Sequence, residues 1–108
     1  MKAGTAQVCI TPPVGIELSG YVDRQQPSIG VHDDLFARGL YLEEGEEKLL
    51  WLHCDLIGFE REWVCCLKRK LAARLELKER QILLSATHTH SGPATLPLRG
   101  CGRMDEVY

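Results

Sequence analysis

Apolar residues alternate at Ala6, Val8 and Ile10, and the pattern stops at Thr11-Pro12-Pro13, where two prolines remove backbone donors. This predicts a short strand over residues 4–10 that enters a rigid loop. Residues 14–34 lose periodicity and gain punctuation, with Gly15, Gly20, Pro27 and Gly30. A loop of that length inside a compact domain is uncommon and often functional. Two apolar runs follow, residues 35–42 and 48–54, on either side of Glu43-Glu44-Gly45-Glu46-Glu47. Across a glycine-containing turn they predict an antiparallel hairpin. The second run is almost continuously apolar, as expected of a central strand covered on both faces.

From residue 60 to 75 the period changes. Trp63, Leu67, Leu71 and Leu75 recur every fourth residue, with Val64 and Ala72 widening the stripe, and this predicts a helix. Glu60 and Glu62 fall in its first turn and Lys68, Arg69, Lys70 and Arg74 toward its end, both complementing the helix dipole. After a polar turn at Lys78-Glu79-Arg80, residues 81–85 read as another buried strand. Strand, helix, strand over residues 48–85 predicts a βαβ unit with the two strands parallel. The fold class expected is therefore α/β, a mixed sheet with a βαβ unit and a preceding antiparallel hairpin, forming an incomplete part of a larger domain. Residues 93–103 turn irregular, and Glu106-Val107-Tyr108 stands where another element would begin.

Composition narrows the classes. A chain of 108 residues supports one modest core. With 44% hydrophobic and 26% charged residues it lies far from the signature of disorder. The formal net charge of -2 argues against nucleic-acid binding, and the one basic concentration, Lys68-Arg69-Lys70 with Arg74, reads as the solvated face of the helix. Cys9, Cys54, Cys65, Cys66 and Cys101 are odd in number and irregular in spacing, so they read as small buried hydrophobes rather than a disulfide framework. No window is apolar enough for a transmembrane segment, and the start lacks the apolar stretch of a leader. Free cysteines and no leader favour a cytoplasmic protein, with secretion the alternative if a leader has been trimmed.

The chemistry concentrates in Thr87-His88-Thr89-His90-Ser91-Gly92-Pro93, directly after the last strand. Were the strand to continue, His88 and His90 would share a face with Cα atoms about 6.5–7 Å apart, near enough for one metal ion. The C-terminal edge of parallel strands is where open α/β sheets gather ligands. Asp55, at the end of the other parallel strand, can orient a histidine, fix a loop or cap the following helix. His32, between Gly30 and Asp33-Asp34, is the better third candidate, whereas His53 lies in an apolar strand and reads as a satisfied core histidine. A zinc site needs three or four ligands, so completion falls to His32, an acidic residue, or ligands outside these residues. Two competing accounts use cysteine: a structural zinc site with Cys54 and Cys101, and a nucleophilic Cys54-His pair.

Several segments together resemble the N-terminal part of the neutral/alkaline non-lysosomal ceramidase family. They are Ala3-Gly4, Ile10-Thr11-Pro12-Pro13-Val14-Gly15, Ser19-Gly20-Tyr21, Gly30-Val31-His32-Asp33, Phe36-Ala37-Arg38, Cys54-Asp55-Leu56 and Ser85 through Pro93, in that order. The likeness implies that residues 1–108 are a single N-terminal segment of a ceramidase-like zinc hydrolase domain. It implies a zinc amidase of lipid metabolism that hydrolyses the amide of N-acylsphingosines or a related lipid or small amide. By the same resemblance His88 is a Zn(2+) ligand, His90 lies beside the metal as a catalytic residue, His32 lines the substrate pocket with a catalytic part, and Gly20 is substrate-binding. Further ligands, a histidine, a glutamate and a tyrosine, lie beyond the length present, and Tyr108 is not that tyrosine. The partners implied are the C-terminal part of the same polypeptide or another copy, and the chain alone is expected to be inactive. The alternative is a non-catalytic structural or interaction module that retains the fold.

Overall fold

The computed structural model describes residues 1–105 and 108. The expectation of a new element at Glu106-Val107-Tyr108 therefore falls largely outside the described residues. Four strands form one sheet in chain order: β1 (Lys2–Cys9), β2 (Phe36–Glu44), β3 (Glu47–Cys54) and β4 (Ile82–Ala86). The first two contacts are antiparallel and β3 pairs with β4 in parallel. A helix, α1 (Arg61–Leu75), and a single 3₁₀ turn at Glu79–Gln81 connect β3 to β4. This is the mixed α/β sheet with a hairpin and a βαβ unit that the hydrophobic pattern predicts.

Gly45 makes the hairpin tight. Glu44 pairs with Glu47, leaving two turn residues, and Gly45 takes φ 60° at the first of them. Positive φ at that position costs a glycine nothing and supports a turn whose twist matches the flanking strands.

The core lies between one sheet face and α1. Leu50, Leu77 and Ile82 are buried, and Tyr41, Leu52, Leu71, Ala72 and Leu84 pack around them. Alternation places Leu50 and Leu52 of β3 on this face, while Trp51 and His53 point the other way. Here the sequence expectation of a doubly covered β3 fails. Trp51 is 40% and Leu83 47% exposed because the described residues contain one helix, on one face. The strand β1 is exposed along its whole length, with Val8 60% accessible; Ala6 and Val8 face an open groove beside Leu71 and Leu75 that no layer among the described residues fills.

The helix also sits rotated from its sequence stripe. Val64, Leu67, Leu71 and Ala72 are half-buried, whereas Trp63 and Leu75 are exposed. The Trp63 ring finds its partner in Phe59 instead, stacked at 5.3 Å between centroids. The cysteine expectation is corrected too: all five are free, Cys9, Cys65 and Cys66 are exposed, and only Cys54 and Cys101 are half-buried. Outward positions of α1 and the uncovered β1 leave those three sulfurs nothing to be buried against. No helix among the described residues is long and apolar enough to cross a membrane.

Candidate functional site

The parallel register brings Cys54 opposite Ala86, so β3 and β4 end together and the segments leaving them run side by side. Backbone hydrogen bonds fasten the two: Thr87 N donates to Cys54 O at 3.0 Å and His88 N to Leu56 O at 3.0 Å. Leu56 and Ile57 are buried at this junction and give it a fixed floor. The strand does not continue through the histidines, as the simple alternation argument requires. It stops at Ala86, and His88 adopts φ 60°, a left-handed conformation that non-glycine residues rarely hold.

That turn aims the His88 imidazole at the neighbouring backbone, and its Nδ1 lies 2.7 Å from Ile57 O. A carbonyl only accepts, so in the neutral ring Nδ1 carries the proton and Nε2 presents its lone pair outward. This is the arrangement by which proteins orient a metal-binding histidine. The His90 ring lies edge-on to His88, 5.2 Å between centroids at 66°. The two imidazoles are therefore neighbours, through a bent loop rather than through strand spacing.

The long loop supplies the seat for His90. Ser19 N donates to Gly92 O at 3.0 Å, Ala94 N to Glu17 O at 3.2 Å, and Leu18 bridges Pro93, so residues 17–19 lie against residues 92–94. Gly20 takes φ 108°, and a Cβ there would lie 2.4 Å from His90 Cγ. The Tyr21 ring meets His90 edge-on at 5.1 Å. Arg24 donates to the carbonyls of Ser19 at 3.1 Å and His90 at 2.9 Å, with its guanidinium 5.0 Å from the Tyr21 ring centre. Ser19 is fully buried, and its Oγ has no hydrogen-bond partner among the described residues.

Asp55 fixes a strand entrance rather than capping a helix. Its Oδ2 accepts from Phe36 N at 2.9 Å and Arg38 Nη1 at 2.8 Å, and Asp55 N donates back to Phe36 O. Burial pushes the Asp55 carboxyl up, but the Phe36 and Arg38 donors and the Arg38 charge outweigh it and hold the group below the usual carboxylate range. The N-cap of α1 is Glu60, without a side-chain bond. His32 sits on an exposed stretch, its side chain 96% accessible and Nδ1 2.6 Å from Asp33 Oδ2. The hydrogen bond that His32 donates to Asp33, then the Asp33 charge, raises the His32 pKa.

His53 is half-buried on the helix-free face rather than in the core, and its Nδ1 meets Ser85 Oγ at 2.8 Å. It lines an open groove of about 650 Å³ with Trp51, Leu40 and Arg38, and neither His88 nor His90 borders that space. Burial, and then the Asp55 charge, push the Cys54 thiol up, away from the thiolate that a nucleophile or zinc ligand requires. The Tyr108 hydroxyl donates to Ile10 O, at the end of β1. Among the described residues no group of three or more His, Cys, Asp or Glu side chains converges to hold a metal.

His88, His90 and Gly20, singled out in the sequence, are brought together in the fold, whereas nothing in the sequence marks Ile57 or Arg24. The Ile57 contribution is a backbone carbonyl, which leaves no trace in residue identity. Arg24 is one basic residue in an aperiodic loop, and only the folded geometry gives it two carbonyls to hold.

Comparison with known proteins bears on the family. A family model described as neutral/alkaline non-lysosomal ceramidase, N-terminal, matches residues 2–98. The chain is 29% identical over 102 residues to neutral ceramidase of Drosophila melanogaster, covering 85% of this chain and 14% of that protein. It is 34% identical over 86 residues to neutral ceramidase of Pseudomonas aeruginosa, covering 72% of this chain and 12% of that protein. The crystal structure of the P. aeruginosa neutral ceramidase superposes with a TM-score of 0.75 at 27% identity, over 85% of this chain and 15% of that one. The chain thus spans about a seventh of the length of the relatives it matches. It belongs to the neutral/alkaline non-lysosomal ceramidase family, whose N-terminal part it matches.

Proposed function

We propose that this chain supplies the His88 and His90 wall of a zinc-dependent amide hydrolase site acting on a lipid amide of the N-acylsphingosine kind. The observation that carries the reading is the 2.7 Å contact between His88 Nδ1 and Ile57 O, which leaves Nε2 outward and available. The donor chemistry fits zinc, since a neutral imidazole oriented through its second nitrogen is a common ligand for that ion. When bound, zinc supplies a Lewis acid for a carbonyl oxygen and lowers the pKa of a coordinated water.

The chain's own residues do the rest of the work on this side. His88 would hold the metal through Nε2. His90 is half-buried beside it, with ring nitrogens that form no hydrogen bond among the described residues, and it exchanges a proton with the reacting amide or steadies charge on its oxygen. His32, anchored to Asp33 through Nδ1, offers the lone pair of Nε2 to a substrate hydroxyl. Gly20 keeps the floor under His90 free of side chain. The remaining ligands come from elsewhere in the polypeptide, so these residues by themselves turn over little or no amide.

The test is hydrolysis of N-acylsphingosine by the full-length polypeptide, with a chelator and with zinc added back. Turnover that disappears on chelation and returns with zinc supports the reading. Turnover untouched by chelation contradicts the metal role, and no turnover with no bound metal points to a non-catalytic module.

A further inference from the structure

The geometry points to Arg24 as the positioning residue for His90, a role that requires the arginine fork rather than a positive charge alone. Arg24 lies in the loop between β1 and β2, far in sequence from the histidines, yet one guanidinium reaches two backbone segments. Its Nη1 donates to Ser19 O at 3.1 Å and its Nη2 to His90 O at 2.9 Å. Both bonds are partly buried, where a charge-assisted hydrogen bond to a carbonyl is stronger than at an open surface. The same guanidinium sits 5.0 Å from the centre of the Tyr21 ring, within cation–π range.

These contacts enclose His90. Its carbonyl is held by Arg24, its ring edge meets Tyr21 at 5.1 Å, and its Cβ and Cγ lie over Gly20, where no side chain fits. Arg24 touches two of those walls, Ser19 next to Gly20 and Tyr21 itself. Removing it leaves the two segments joined only through residues 17–19 and 92–94, frees the His90 carbonyl and the Tyr21 ring, and the imidazole loses its defined orientation toward His88. Lysine cannot replace it, since an ammonium has neither two parallel donors nor a planar face for the ring.

Cross-peaks between the His90 and Tyr21 rings in proton spectra of the 108-residue chain read this orientation directly, without metal or substrate. Wild type is expected to show them, and Arg24→Ala and Arg24→Lys to lose at least half their intensity while the β3 and β4 amide signals stay in place. If Arg24→Ala does not fold, Arg24→Lys decides, because it keeps the charge and the aliphatic stem. Wild-type cross-peaks in Arg24→Lys overturn the assignment. A second arm rests on the amide hydrolase reading. In the full-length polypeptide, Arg24→Lys is expected to lower kcat by roughly 10- to 100-fold with KM and zinc content unchanged. A change in KM alone contradicts the positioning role. Absent hydrolysis in wild type sinks the hydrolase reading and leaves the ring cross-peaks to judge Arg24.

Discussion

Gly20 and His90 approach so closely that one methyl group would not fit between them: a Cβ on Gly20 would lie 2.4 Å from His90 Cγ and 2.6 Å from His90 Cβ. The glycine also holds φ 108°, where any L side chain is strained. Gly20→Ala therefore meets both penalties, and the histidine must move. The expected loss of stability is about 1–3 kcal/mol, read from urea midpoints, together with displaced His90 ring resonances. A variant with the wild-type midpoint and unmoved His90 signals would show that this contact does not define the site.

The Ile57 carbonyl sets the His88 tautomer. Nitrogen-15 spectra at alkaline pH are expected to show a protonated Nδ1 and a bare Nε2 for His88. A proton on Nε2 in the metal-free chain would contradict the orientation assigned to this ring.

Much of this was readable from the residues, and the failures have physical causes. Alternation and the change to a four-residue period located the hairpin, the helix and β4, because each segment buries one face of a regular element. The same pattern misjudged Trp63, Leu75 and both faces of β3, since periodicity tells which side is apolar but not whether another layer covers it. His88 and His90 stood out as a pair, yet strand spacing was the wrong reason for their closeness. The left-handed turn at His88 and the Arg24 clamp depend on contacts between segments dozens of residues apart.

Asp55 links the fold to pH. Its folded pKa lies below the ordinary carboxylate value of 3.8, so the stability it contributes is present above that value. That contribution is lost as pH falls through the lower folded pKa. Thermal midpoints of wild type are therefore expected to drop on acidification below about pH 4, and Asp55→Asn to show a smaller drop from a lower starting point. Parallel acid profiles in the two proteins would remove Asp55 from this account.

The rotated helix makes a graded prediction. Ile82 is 2% exposed at the centre of the core, and Ile82→Ala is expected to cost about 2–5 kcal/mol. Leu71 packs on that core whereas Leu75 is 47% exposed, so in denaturant titrations Leu71→Ala is expected to cost clearly more than Leu75→Ala. Equal losses would restore the unrotated stripe.

Metal analysis of the full-length polypeptide tests most directly whether His88 holds a metal through Nε2, as proposed. Wild type is expected to carry stoichiometric zinc, and His88→Ala to lose it while keeping its fold. Unchanged zinc in folded His88→Ala would contradict the assignment.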